Sequence, residues 1–246
     1  MSLTTKSAKP GEAPLGEPLE GMFISVPPRY DLINRLITLG LDKRWRREAA
    51  RECLILRPKR VLDLGCGTGD LALILAEMAE EEVELLGIDF SRPMLELARR
   101  KAKLKGKRVS FIQGSIRSLP FPDGYFDSIG ISFAFRNLSY KNPYFPYYLN
   151  ELLRVLASGG RLIILETSQP KSKLAKKAYH LYLRLVVSNL GYLISGNRGA
   201  YSYLAESATR FFAPDEVEEI LYCVGFRKVY FRAFLCGAIS IHTAIK

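Results

Sequence analysis

The chain has 246 residues, 48% of them apolar, enough for one domain with a sizeable buried core and little room for a second. Its four cysteines (Cys53, Cys66, Cys223, Cys236) include no Cys-x-x-Cys pair and its only histidines are His180 and His242, which argues against a disulfide framework, a zinc site and other metal catalysis, and for a cytoplasmic setting. The net charge of +11 sits in basic runs at 43–47, 99–108 and 171–177 that either attract phosphates or form solvated helix faces, and no apolar stretch approaches the ~20 residues of a spanning helix.

Residues 1–20 mix Lys, Ser, Pro and Gly around no apolar centre, which predicts a disordered leader ahead of a folded unit over 21–246. The first clear element is Val61-Leu62-Asp63-Leu64, a predicted strand that stops at Gly65-Cys66-Gly67-Thr68-Gly69. From Asp70, the positions Leu71, Leu73, Leu75, Ala76 and Met78 predict a helix, and residues 83–88 a second strand closing on Asp89. Ser91 and Pro93 supply an N-cap and a first-turn proline for a helix carrying Met94, Leu97 and Ala98. Further strands are expected at 109–113, 126–132 and 161–165, with a helix over 147–156 before the last. Residues 171–212 break this rhythm with a long basic, aromatic, helical insertion. A helix over 214–223 and strands at 229–234 and 238–245 end the chain. Strands joined by helices need right-handed crossovers. The expected fold is therefore α/β: a doubly wound, Rossmann-like, mostly parallel seven-stranded sheet with an antiparallel terminal strand and a helical insertion.

In such a sheet the ligand crevice lies beyond the carboxyl ends of the strands, where their order reverses. Gly65, Gly67 and Gly69 let the backbone turn tightly there and lie close to a bound molecule, and Asp89 at the tip of the second strand suits both hydroxyls of a ribose. Dehydrogenases use a related loop, Gly-x-Gly-x-x-Gly, but its last glycine is Asp70 in this chain. A carboxylate at that helix N-terminus repels a pyrophosphate and tolerates an ammonium or a sulfonium. Asp63 adds a second acid. S-adenosylmethionine is therefore the expected cofactor; a tight turn with no ligand is the plainer alternative.

At this point the sequence resembles the class I methyltransferases and, more narrowly, the ubiquinone/menaquinone biosynthesis C-methyltransferase family. Met22-Phe23, Tyr30-Asp31-Leu32, Gly40-Leu41 and Trp45-Arg46 are similar to its amino-terminal signature, and Gly67-Thr68-Gly69-Asp70 to its cofactor loop. Leu119-Pro120-Phe121 resembles its segment after the third strand, and Ser132-Phe133-Ala134-Phe135-Arg136-Asn137 its most specific run. Arg154-Val155-Leu156, Leu165-Glu166, Tyr201-Ser202-Tyr203-Leu204 with Glu206-Ser207, and Gly225-Phe226 complete the likeness. The resemblance implies that Thr68, Asp89, Ser115, Ile116 and Ser132 contact the cofactor, and Asp63, Gly65, Gly67, Phe90 and Met94 complete the expected set; Met94 and Cys66 also read as packing residues. Departures are Ser115-Ile116 in place of Asp or Asn followed by Ala, and Ala134 and Phe135 in place of Gly and Leu, which narrow the pocket.

The implied reaction is transfer of a methyl group to a ring carbon of a prenylated hydroquinone, demethylmenaquinol or its ubiquinone-pathway equivalent. That carbon is nucleophilic once the neighbouring hydroxyl has lost its proton. Arg136 is expected to stabilise the phenolate, Asn137 to orient an oxygen or a water, and Tyr201 and Tyr30 to meet the ring, while pairing of Arg136 with Glu166 is its structural alternative. His180 and His242 are given no role. Leu174, Ala178, Leu181 and Leu185 form one apolar stripe with Lys173, Lys177 and Arg184 beside it, which suits peripheral contact with an anionic membrane or a lid. The competing readings are a class I enzyme for another phenol, lipid or amine, and a basic nucleic-acid-binding protein. No nucleic-acid partner is expected, because the chain has neither a basic and aromatic stacking surface nor an Asn-Pro-Pro-Tyr segment. Homo-oligomerisation is left open.

Overall fold

Strands covered on both faces read as unbroken apolar runs. In the computed structural model, which describes residues 27–195 and 198–246, these runs are β1 (Arg60–Leu64), β2 (Glu84–Asp89), β3 (Ser110–Gln113), β4 (Phe126–Ser132) and β5 (Leu156–Thr167), followed by β6 (Lys228–Phe234) and β7 (Ile239–Ile245). The leader expected at 1–20 and the pair Met22-Phe23 lie outside the described residues. The strands form one sheet in the order β3-β2-β1-β4-β5-β7-β6. β1 to β5 pair in parallel, and β7 runs antiparallel to both β5 and β6. The sheet is thus the expected one. Its order reverses between β1 and β4, which opens a crevice at their carboxyl ends.

The described helices are α1 (Pro27–Ile37), α2 (Asp42–Leu54), α3 (Asp70–Met78), α4 (Arg92–Leu104), α5 (Phe135–Ser139), α6 (Phe145–Val155), α7 (Lys173–Tyr182), α8 (Ser188–Ser195), α9 (Arg198–Thr209) and α10 (Pro214–Val224); a π-helical turn, Leu183–Val187, joins α7 to α8. The two-residue period of a strand sorts the core into two layers. Leu62, Ile129, Leu162 and Ile164 face α6 and α10, whereas Val61, Ile163 and Leu165 face α2 and α3. Gly69, at φ +80°, lets α3 approach α4, because a β-carbon there would lie 3.0 Å from that of Ala98.

Three helices were not foreseen. α2 buries Trp45, Arg46, Ala49, Ala50 and Cys53 on one face, but its many Lys and Arg residues hide that stripe in a basic run. α1 precedes it, and α5 is a short turn after β4. β5 also begins five residues earlier than expected, because Leu156 pairs with Phe126 and a bulge then sets Arg161 opposite Ser128.

The insertion is helical as expected and closes over the carboxyl ends of β4 and β5. Tyr179, Tyr182, Leu183 and Val187 face inward, while Leu174, Leu181 and Leu185 are 79%, 56% and 58% exposed. The stripe read from the sequence therefore faces away from the core. None of the described helices is long and apolar enough to cross a membrane.

Candidate active site

The glycine loop is shaped by the acid that the sequence pairs with it. The Gly67 amide donates to Asp89 Oδ2 at 2.8 Å, the Ser91 amide donates to Asp89 Oδ1 at 2.8 Å, and the Cys66 amide donates to the Ile88 carbonyl at 3.0 Å. Burial raises the pKa of Asp89, and the amide bonds partly offset it. The Phe90 amide is a third donor to this carboxylate, which keeps accepting capacity for a ligand. Asp63 Oδ2 accepts from the Ala72 amide at 2.9 Å, while its Oδ1 is buried with no hydrogen-bond partner. Burial, reinforced by Asp89 and Asp70 and opposed by the Ala72 amide and Arg46, pushes Asp63 up to about 7. Such a group is poised to ionise when a cation settles beside it.

A cavity of about 110 Å³ opens here, and all ten expected cofactor residues line it: Asp63, Gly65, Gly67, Thr68, Asp89, Phe90, Met94, Ser115, Ile116 and Ser132. Ser132 Oγ is buried without a partner, and Ser115 Oγ accepts only the Arg117 amide, at 3.3 Å. Gly65 lies at φ +66°, and a β-carbon on it would stand 2.8 Å from that of Ala134, so a side chain there would close the cavity. Two carboxylates, apolar Met94 and Ile116 and the bare backbone at Gly65 and Gly67 together fit a nucleoside that carries an amino acid.

Asp70 and Thr68 are both held by neighbouring side chains. Asp70 does not present an uncompensated charge: burial pushes its pKa up, but Arg46 and Lys101 outweigh this and hold it below the ordinary value. Asp70 alone therefore does not decide against a pyrophosphate. Thr68, expected on the cofactor, donates its hydroxyl to Asp31 Oδ1 at 2.6 Å and accepts from Lys101 Nζ at 3.1 Å, which pins α1 to the loop.

A second, largely apolar cavity of about 360 Å³ adjoins the first. Arg46, Phe133 and Asn137 line both. Arg136, Asn137 and Tyr201 all line the second; the side chain of Tyr30 lies outside the described residues. Arg136 is buried, pairs with Glu166 (Nε to Oε1, 3.8 Å) and donates through Nη1 to Ser207 Oγ, while its backbone amide donates to Glu166 Oε2 at 3.0 Å. The pairing of Arg136 with Glu166 is thus present, and Arg136 still faces the cavity. Phe135 does not narrow it: the ring is wholly buried against Phe145 and Phe211, and Ala134 alone lies against the cofactor cavity.

Tyr179 and Thr167, which the sequence reading passed over, line the same cavity with Tyr203. Tyr179 recurs with Leu183 and Val187 at helical spacing, on the side opposite the leucine stripe. Arg46, read as part of a basic run, is buried between Asp42 and the ring of Phe133, 5.2 Å from its centroid. Neither histidine lines either of these two cavities: His180 Nε2 bonds Gln169 Oε1 at 2.9 Å, and His242 Nε2 bonds the Pro214 carbonyl at 3.0 Å.

A reversed parallel sheet with β7 antiparallel, a glycine loop tied to an acid on the next strand and a second cavity touching the first define an S-adenosylmethionine-dependent methyltransferase of class I. A solved S-adenosylmethionine-dependent methyltransferase from Aquifex aeolicus shares this fold at a TM-score of 0.54, with 22% identity over 76% of this chain and 81% of that one. Residues 12–246 match the model of the ubiE/COQ5 methyltransferase family, and the chain belongs to that family. It is 46% identical to the demethylmenaquinone methyltransferase of Thermus thermophilus, over 90% of this chain and 98% of that one. It is also 39% identical to the ubiquinone/menaquinone biosynthesis C-methyltransferase UbiE of Geobacter sulfurreducens, over 94% and 89%.

Proposed function

We propose that the protein methylates a ring carbon of a prenylated hydroquinone, converting demethylmenaquinol to menaquinol. The observation that carries this reading is the apolar 360 Å³ cavity that meets the cofactor cavity at Asn137, with the Arg136–Glu166 pair in its wall. It suits a flat ring with oxygens on it and an apolar tail leading away.

S-adenosylmethionine supplies an electrophilic methyl group on a sulfonium. Asp63 would hold its ammonium, Asp89 its ribose hydroxyls, and Phe90, Met94, Ser115 and Ile116 would enclose its adenine, with Gly65, Gly67, Thr68 and Ser132 around the remainder. Positive charge is dispersed rather than created in the transfer, so positioning supplies much of the rate. Asn137 orients a ring oxygen at the junction of the cavities. Tyr201, buried in the wall, packs against the ring. Arg136 offers its guanidinium to the ionised ring hydroxyl. As the ring carbon bonds the methyl group, the sulfonium–methyl bond would break to leave S-adenosylhomocysteine, and the proton on that carbon would pass to water, restoring the aromatic ring.

The tail and the bilayer it occupies account for the outward leucines. Leu39, 84% exposed, lies at the rim of the cavity, and Leu36, Leu174, Leu181, Leu185 and Leu193 are exposed on α1 and the insertion beside Lys173, Lys176, Lys177 and Arg184. We read this as a peripheral face for an anionic membrane seen from the cytoplasm. Binding to anionic vesicles should weaken with salt. Salt-insensitive binding, or none, removes the membrane from the reading.

The decisive experiment is incubation with labelled S-adenosylmethionine and demethylmenaquinol in detergent. Labelled menaquinol is the expected product. Labelling of a soluble phenol but never of the quinol would transfer the assignment to a small-molecule methyltransferase of the same family.

A further inference from the structure

Arg136 cannot neutralise a phenolate unaided, because Glu166 already balances it. In a largely apolar cavity, further hydrogen-bond donors aimed at the same oxygen are worth far more than they are in water. Among the described residues, two such donors stand ready. The hydroxyls of Tyr179, on α7, and Tyr203, on α9, are both buried without a hydrogen-bond partner, and both residues line this cavity. Arg136 Nε is likewise buried without a hydrogen-bond partner, 3.8 Å from its ion-pair partner Glu166 Oε1. An unsatisfied buried polar group costs about 1–3 kcal/mol, so three around one cavity call for a ligand atom to bind.

Both hydroxyls lie near the Arg136–Glu166 pair. Burial raises the pKa of each, and Arg136 and Glu166 are charged neighbours of both; the Thr167 hydroxyl and Tyr182 are the further neighbours of Tyr179, and Tyr140 and Glu206 are those of Tyr203. They therefore remain protonated donors at neutral pH. Their placement is fixed by lid contacts that leave the hydroxyls free. The Tyr203 ring meets Tyr140 edge-on at 5.7 Å, and Tyr140 donates to Glu206 at 2.9 Å. His180, next to Tyr179, bonds Gln169, whose amide donates to the Ala208 carbonyl on α9 at 2.8 Å, so α7 and α9 are tied together.

We infer that Tyr179 and Tyr203 join Arg136 Nε in a three-donor site for the ionised ring oxygen of an aromatic substrate, completed by the helical lid. The inference rests on the proposed ring-methylating function. It makes the lid part of the chemistry as well as a cover: two neutral phenols from separate helices carry the charge that Arg136, held by Glu166, leaves unmet.

Tyr179→Phe, Tyr203→Phe and the double variant test it, each bound to S-adenosylhomocysteine and titrated with 4-nitro-1-naphthol, whose ionised form absorbs in the visible. The wild type should lower the pKa of the bound naphthol, and each phenylalanine should weaken its ionisation about tenfold. In parallel kcat should fall on the order of a hundredfold per substitution, as for other oxyanion donors, with affinity for S-adenosylhomocysteine unchanged and melting temperature unchanged or higher. A double variant with wild-type kcat, or a bound naphthol pKa indifferent to both substitutions, overturns the inference. The two readings fail separately. A wild type that shifts the naphthol but never methylates demethylmenaquinol keeps the donor site and loses the proposed substrate. A wild type that methylates the quinol while both phenylalanine variants match it keeps the substrate and loses the donor site.

Discussion

The cofactor cavity and the ring cavity share Arg46, Phe133 and Asn137, yet they hold their shapes by different means. The first is fixed by short-range hydrogen bonds at the ends of β1 and β2, where amides of residues 66, 67, 72 and 91 meet the Ile88 carbonyl and the carboxylates of Asp89 and Asp63. The second is roofed by helices far along the chain, packed through Leu183, Val187, Ala205 and Ala208, and α7 fully buries none of its residues. Elements with so few buried contacts open at lower free energy than core strands. A cofactor thus meets a prepared surface, whereas a ring substrate meets one that the lid must finish.

Arg136 should show the largest effect, because it belongs to the roofed cavity and to the sheet at once. Arg136→Ala should lower kcat by about 10³-fold while S-adenosylhomocysteine affinity stays within about twofold, since no cofactor-cavity bond involves its side chain. It should also cost about 3–5 kcal/mol of stability, because Glu166 is left buried without its cation. Arg136→Met combined with Glu166→Gln should restore the stability and leave turnover lost, as followed by urea unfolding and single-turnover assays. Recovery of turnover in that double variant would reduce Arg136 to a structural role.

Gly65→Val should do the reverse. Its β-carbon would meet that of Ala134 at 2.8 Å in a backbone that valine disfavours, so S-adenosylhomocysteine binding by calorimetry should weaken at least about a hundredfold. Binding of a hydroquinone analogue should survive. Equal loss of both would mean that the cavities do not form independently.

The same contrast explains what could be read from the sequence. The cofactor cavity is built from segments whose local chemistry names them: Gly65 to Asp70 can only be a strand-to-helix loop, and Asp89 follows at the distance one crossover requires. All ten expected residues lie in its wall. The ring cavity has no such local code. Tyr179 and Tyr203 become neighbours of Arg136 only through tertiary packing, and periodicity in 171–212 pointed to the leucine stripe, which faces outward. Arg46 was hidden because charge composition cannot tell a buried arginine, held by Asp42, from a solvated one.

Asp31 links the regions and should give a smaller, shared effect. It receives Thr68 and Lys101, while Asn34 and Ile37 of the same helix line the ring cavity. Its side chain is 42% exposed, so the pairing is worth under about 1 kcal/mol. Asp31→Ala should weaken S-adenosylhomocysteine binding and raise KM for the quinol by about two- to fivefold each. A change confined to one ligand would show that α1 does not couple the cavities.

Asp63 should give the most diagnostic change. Burial raises its pKa from 3.8 to about 7, so the folded protein retains a proton that the unfolded chain releases as pH climbs through that window. This residue's contribution to stability therefore falls across the window and levels off above it. An ammonium group beside the carboxylate favours the ionised form. Affinity for S-adenosylhomocysteine should accordingly rise several-fold between about pH 6 and about pH 8 and then flatten. Asp63→Asn keeps an acceptor for the Ala72 amide but has nothing to ionise, so its affinity should stay at the low value with the slope gone. Calorimetry at both pH values checks this: a slope that persists in the asparagine variant would assign the proton to another group and leave Asp63 as a structural cap on α3.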